Sequence, residues 1–385
     1  IESENRLATK DEQIILSKYV GWGGLSDAFD ENKWPDEYKE LKAILTDEEY
    51  KKARESTLTS FYTPPIVIKS IYQALQNMGL DKANVLEPSC GIGNFFGLKP
   101  TELNNLKFYG VELDDVSGRI AKELYQNANI KINGFEKTNL PDSFYDVAIG
   151  NVPFGTFKVN DPRYDKNNFL IHDYFFAKTL DKVRPGGVIA FITSKGTLDK
   201  ENPEVRKYIA QRADLLGAIR LPDNTFKDAA GTKVTSDIIF LQKRDSIRDI
   251  MPDWVYLDTD ANNISMNKYF IDNPEMVLGK MQMVSTQYGY DSTCVVDENT
   301  TLEEQLKYAI TNIHGEITEN QIENEETLDD IKTIPADPNI RNFSYTVVDG
   351  DIYYRENSIM TLQDVPLTNK NRIIGMIKIR DKLRE

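Results

Sequence analysis

The chain has 385 residues, with 46 Lys and Arg against 61 Asp and Glu, for a formal charge of −15. That length exceeds one ordinary domain and can enclose a large core, while the charge excludes a uniformly basic nucleic-acid binder. Two cysteines and two histidines exclude a disulfide scaffold and a His-Cys zinc cluster, and no apolar run approaches the roughly 18–20 residues of a membrane span.

The acidity is uneven. Residues 245–385 hold 26 acidic and 13 basic side chains, a balance of −13, leaving −2 for residues 1–244. Lys195, Lys200, Arg206, Lys207, Arg212, Lys227 and Lys233 form either a local basic face or an ordinary solvated surface. Free cysteines and the lack of a visible signal peptide predict a cytoplasmic protein.

Residues 1–60 read as a charged helical segment, with Gly21-Trp22-Gly23-Gly24 as a tight turn and Trp22 as its packing anchor; direct DNA contact by Trp22 is the sharper alternative. From Pro64, at a position suited to a helix first turn, Val67, Ile68, Ile71, Tyr72 and Leu75 fall on one helical face. Strands are predicted at 83–87, 107–112, 129–133, 145–150, 187–193, 214–220 and 236–242. Helices alternate with them near 115–127, 171–182 and 203–211, and such alternation predicts a parallel-rich, doubly wound α/β sheet. Ligands bind beyond the carboxyl ends of strands in these sheets, where Glu87, Glu112 and Asn151 all fall.

The run Val85–Glu87 ends in Pro88-Ser89-Cys90-Gly91-Ile92-Gly93, a turn that lets backbone approach a ligand closely. Glu112 ends the next strand and suits two ribose hydroxyls. The third glycine of a dinucleotide site is missing, and Glu87 before the turn suits a cationic, phosphate-free cofactor: S-adenosylmethionine. Asn151-Val152-Pro153-Phe154 then follows a buried apolar run. An exocyclic amine is a poor nucleophile until its hydrogens are held. The Asn151 side-chain oxygen and the Val152 or Pro153 carbonyl can accept both, Pro153 fixes φ, and Phe154 can stack on a planar substrate for about 1–3 kcal/mol.

In order and spacing these residues resemble the amino-group-specific class I methyltransferases, most closely the gamma-type adenine-N6 DNA methyltransferases. Phe61-Tyr62-Thr63-Pro64-Pro65, the LEPSCGIG turn, Glu112-Leu113-Asp114, Gly134-Phe135-Glu136 and Asn151–Phe154 stand in the family's sequence, with Val152 replacing a usual proline. The resemblance implies a class I S-adenosylmethionine-dependent methyltransferase fold: a Rossmann-like, doubly wound, seven-stranded sheet over residues 61–244. A helical segment (1–60) precedes it, and an acidic mixed α/β extension (245–385) follows as a partner- or DNA-contacting part. It places Tyr62, Thr63, Glu87, Ser89, Gly91, Gly93, Glu112, Leu113, Phe135, Glu136 and Asn151 around the cofactor. Asn151, Val152, Pro153, Phe154 and Phe226 fall at the reaction centre, the two phenylalanines sandwiching an adenine extruded from double-stranded DNA. No metal is implied.

Tyr19–Leu25, His172-Asp173-Tyr174-Phe175-Phe176 and Tyr269–Gly279 are similar to the methylase portions of large methylase-helicase polypeptides of phages and conjugative elements. This implies a fragment whose helicase-like partner domain is absent, and without a GxxxxGK[ST] loop no ATPase activity is expected. The rival readings are a methyltransferase acting on RNA guanine or protein glutamine, and a non-catalytic antirestriction or DNA-processing module. The loop 155–166 could close over a base, and Lys195 either reaches a phosphate or caps a turn. Residues 245–290 read as a packed extension and 295–332 as helical and acidic. A hairpin turns at Asp349-Gly350, and the last fifteen residues read as a basic amphipathic helix.

Overall fold

The computed structural model describes residues 1–23, 25–57, 62–226, 233–286, 289–318, 333–363, 365 and 367–384. Its centre is a seven-stranded sheet of β1 (Lys82–Glu87), β2 (Asn105–Glu112), β3 (Asn129–Ile132), β4 (Tyr145–Asn151), β5 (Val183–Ser194), β6 (Ala213–Leu221) and β7 (Ser236–Lys243), in the order β3-β2-β1-β4-β5-β7-β6. Strands β1 to β5 pair in parallel, while β7 runs antiparallel to both β5 and β6. Tyr145–Gly150 of β4 are buried throughout, as a strand covered on both faces requires. All seven strands lie within a few residues of their predicted bounds.

Helices α1 (Lys10–Leu16), α2 (Pro35–Ile44) and α3 (Asp47–Ser56) precede the sheet. Helix α4 (Pro65–Asn77) has proline in its first turn and buries Val67, Ile68, Ile71, Tyr72 and Leu75, the stripe that the spacing indicates. The Tyr72 hydroxyl donates to the Phe95 carbonyl at 2.7 Å, tying α4 to the one-turn α5 (Asn94–Gly97) behind the glycine turn. Asp114 caps α6 (Asp115–Leu124) by accepting from the Ser117 amide at 2.8 Å. Helix α7 (Ile171–Lys182) is buried at every position but Asp181, and α8 (Gly196–Asp199) and α9 (Glu204–Ala210) follow β5.

Residues 1–57 form a satellite with its own apolar cluster of Ala28, Phe29, Tyr50 and Ala53, against which Trp22 packs edge-on to Phe29 at 5.5 Å. Trp22 thus packs as an anchor of this cluster while remaining partly exposed; Gly24 lies outside the described residues. Polar bonds join this satellite to the body. Arg119 pairs with Glu49 at 2.6 Å and with Glu2, the Ala8 amide donates to Glu123 at 2.7 Å, and the Tyr62 hydroxyl donates to the Tyr19 carbonyl at 2.6 Å.

The boundary expected at residue 244 is not a break in packing, because Ile264, Met266, Phe270, Met276, Leu306 and Met360 belong to the main core. Buried Arg220 pairs with Asp237 and Asp199, each at 2.8 Å, and lies 4.3 Å from the Phe270 ring centre. An antiparallel hairpin, Lys280–Thr286 with Gly289–Val295, was not foreseen. The hairpin at Asp349-Gly350 is present, with positive φ at both residues, inside a four-stranded sheet. Leu302–Ala309 is helical as expected, but residues 319–332, most of the acidic stretch, lie outside the described residues. The final helix, Leu367–Lys382, starts before the last fifteen residues.

Candidate active site

A cavity of about 850 Å³ opens at the carboxyl ends of β1, β2 and β4. Of the residues assigned to the cofactor, Tyr62, Thr63, Glu87, Ser89, Gly91, Glu112, Leu113, Phe135, Glu136 and Asn151 line it. Gly93 does not: its φ is +85°, and a Cβ there would meet the Tyr125 ring at 2.5 Å, so it serves close packing. Gly91, at φ +54°, has open space where a Cβ would stand.

Hydrogen bonds brace this wall. The Gly91 amide donates to Glu112 Oε2 at 2.7 Å and the Asp114 amide to Oε1 at 2.8 Å, so one carboxylate fixes both turns. Ser89 Oγ donates to the Asn151 carbonyl at 3.0 Å, and Asn151 Nδ2 donates to Thr63 Oγ1 at 3.2 Å. That second bond orients the amide, directing Oδ1 away from Thr63.

Glu87 is 2% exposed, and its Oε2 has no hydrogen-bond partner among the described residues. Burial raises its pKa well above the usual carboxylate range, with further repulsion from Glu112, which burial itself pushes up to about 7. A buried acidic pair of this kind suits a ligand that brings positive charge and hydroxyl donors. S-adenosylmethionine carries a sulfonium, an ammonium and two ribose hydroxyls, so the residues fit it, and the volume lies within the range of cofactor sites.

At the reaction centre Asn151 and Pro153 line the cavity, whereas three assigned residues do not. Val152 is 1% exposed, its amide donating to the Ile192 carbonyl at 3.0 Å, which turns its side chain into the core. Phe154 is half-buried against the main core. Phe226 is 1% exposed, because a turn closed by the Thr225 hydroxyl on the Pro222 carbonyl at 2.7 Å points it inward. It is a core residue here, and 227–232 after it lie outside the described residues. Phe157, 46% exposed, does line the cavity, together with the aromatic rings of Tyr62, Phe95, Phe135 and Phe175. It belongs to the loop read as a closing element, and only that reading hinted at it. Val20, Gly21, Lys51 and Arg54 of the satellite also line the cavity, with no signal in their local sequence.

The supposed basic face dissolves into internal contacts. Arg206 is 1% exposed and donates to the Val255 and Lys200 carbonyls; Lys195 binds Asp291 and Ser292 of the extension; Lys200 pairs with Asp173. Arg212 lies 3.6 Å from the Tyr208 ring centre, Lys207 pairs with Glu204, and Lys227 is outside the described residues. Lys233 alone keeps a mostly exposed side chain, 3.9 Å from Asp223. Among the described residues no acid, histidine or cysteine cluster could hold a metal, and no helix is long and apolar enough to cross a membrane.

Residues 45–323 match the N-6 DNA Methylase family. Defense against restriction protein B of Escherichia phage P1 is 30% identical over 242 residues, 61% of this chain and 9% of the phage protein. Type II methyltransferase M.CvrRI of Paramecium bursaria Chlorella virus XZ-6E is 26% identical over 53% of this chain and 54% of its own. The rRNA N(6)-adenosine-methyltransferase metl-5 of Caenorhabditis elegans is 25% identical over 44% of this chain and 81% of its own. The chain thus spans a small part of the first relative and about half of the second. Sheet order and family together identify a class I fold with S-adenosylmethionine as methyl donor. Since the matched stretch covers well over half of the chain and contains every cavity residue from Lys51 onward, this chain belongs to the N-6 DNA methylase family.

Proposed function

We propose that the chain transfers a methyl group to the N6 amino group of adenine in double-stranded DNA. The observation that carries the reading is the Asn151 amide, oriented by Thr63 in the lining of the cavity that also holds the Glu87 and Glu112 carboxylates.

Bound S-adenosylmethionine supplies an electrophilic methyl on a sulfonium sulfur. Glu112 would accept the ribose hydroxyls and Glu87 would face the positive end, while Leu113, Phe135 and Glu136 frame the adenine moiety. Asn151 Oδ1 accepts one hydrogen of the substrate amino group and the carbonyl of Val152 or Pro153 accepts the other. The nitrogen lone pair is thereby freed and aimed, so the chain acts chiefly by positioning and charge stabilisation. No general base is required before transfer, because the nitrogen becomes acidic only as it gains the methyl. The base leaves the duplex at a cost of a few kcal/mol, with Phe157 in the cavity wall and Phe154 beside the turn as stacking faces.

DNA as substrate draws support from the family and from the viral type II relative; the rRNA-modifying relative supports RNA adenine as the second reading. The length of the phage relative supports a methylase unit working within a larger polypeptide. Tritium transfer from labelled S-adenosylmethionine to duplex DNA and, in parallel, to structured RNA tests the choice. Label recovered as N6-methyladenine from DNA is the expected result; label confined to RNA overturns it. Asn151→Ala should bind the cofactor within about threefold of wild type and lose transfer at least 100-fold, and sustained turnover in that variant would remove Asn151 from the reaction.

A further inference from the structure

The amino end of α7 carries a buried polar cluster that the chemistry above leaves unused. His172 is 5% exposed, and neither ring nitrogen has a hydrogen-bond partner among the described residues. Beside it Asp173, 1% exposed, has Oδ1 3.6 Å from His172 Nε2 and Oδ2 paired with Lys200. Leaving such groups unsatisfied costs roughly 1–3 kcal/mol each in general, so the arrangement calls for a partner in another state. The ring faces the backbone of Gly155, without meeting hydrogen-bond geometry. Gly155 follows Asn151–Phe154 directly, and the Ile171 amide donates to the Phe157 carbonyl at 3.0 Å. The start of α7 therefore touches both ends of the segment that brings Phe157 to the cavity.

We propose that His172 is a positioning residue for the methyl-transfer turn: its imidazole donates a hydrogen bond to the Gly155 carbonyl when the loop from Gly155 to Leu170 settles on substrate. The inference rests on the methyl-transfer reading above. Lys200 neutralises Asp173, so the single N–H of a neutral ring is available to Gly155. Asp173 limits the ring's rotation, and Lys200, at the end of α8, ties the cluster to the carboxyl end of β5. Apo hydrogen bonds that close only around substrate are a common feature of active sites. His172 itself touches neither cofactor nor substrate.

The test compares His172→Leu, His172→Asn and His172→Gln in the full chain. His172→Leu should lower kcat about 100-fold, as a misplacement of about 1 Å does, with KM for DNA and the Kd for S-adenosylmethionine within about threefold of wild type. Whichever amide variant reaches Gly155 should recover at least tenfold of that loss. Trypsin supplies a readout independent of turnover, through cleavage after Lys158, Arg163 and Lys166. S-adenosylmethionine with a DNA duplex should protect these sites in wild type and not in His172→Leu. Equal losses in all three variants, unchanged kcat, or equal protection in wild type and His172→Leu overturns the proposal. Wild type that protects the loop yet methylates no nucleic acid would sink the reaction assigned above while leaving the role of His172 to the protease result.

Discussion

Glu87 is the residue at which burial and function oppose each other most directly. Its folded-state pKa is raised, so its contribution to stability is present at acid pH and is lost as pH rises through that value. Glu87→Gln removes this penalty. Without cofactor the variant should melt above wild type at pH 8, and the two should converge at pH 5, read by thermal denaturation. The same change should weaken S-adenosylmethionine binding about tenfold to a hundredfold, the range for a lost bond to a charged group. A melting point unchanged at pH 8 would mean that Glu87 is solvated. Phe226 gives the opposite lesson. Its motif position suggested a stacking surface, and its burial makes it a core side chain. Phe226→Ala should therefore cost about 3–5 kcal/mol in chemical denaturation, where a pure substrate contact would leave stability untouched.

Among the local elements, the glycine turn after β1 separates two residues that look equivalent in sequence. At Gly93 an added Cβ collides with Tyr125, so Gly93→Ala should destabilise by about 1–3 kcal/mol with cofactor affinity following only the loss of folded protein. At Gly91 the Cβ enters open space beside the cavity, and only φ strain of about 1 kcal/mol applies. Gly91→Ala should therefore remain nearly as stable while binding S-adenosylmethionine more weakly. Denaturant titration and calorimetry on both variants separate the two roles; matching profiles would erase the distinction. The strands themselves were legible because β4 and its neighbours are short apolar runs bounded by turn residues. The hairpin at Lys280–Val295 was not, because its mixed polar sequence alternates only weakly and its root is set by contacts with Asp223 and Thr235.

At the level of the molecule, the satellite of residues 1–57 reaches the cavity while keeping its core separate from the main one. Its attachment is largely ionic and polar, centred on Arg119, and such exposed pairs contribute little to global stability. Arg119→Ala should accordingly shift the denaturation midpoint by less than about 1 kcal/mol. It should nonetheless speed proteolysis within residues 1–57 and shorten cofactor residence, an effect that high salt reproduces in wild type through screening. Salt-independent proteolysis in wild type would show that apolar contacts hold the satellite.

The sequence by itself determined the sheet, the glycine turn, the acids at the ends of β1 and β2, and the Asn151 turn. Each is a local device: an apolar run, a residue able to take positive φ, a polar side chain at a strand end. Tertiary structure decided which of several aromatic side chains reach the cavity, which lysines and arginines are consumed in internal pairs, and that the satellite supplies part of the wall. The physical reason is that burial and pairing are properties of what the rest of the chain packs against a residue. Phe154, Phe157 and Phe226 are the same chemical group, and only their neighbours in space tell them apart.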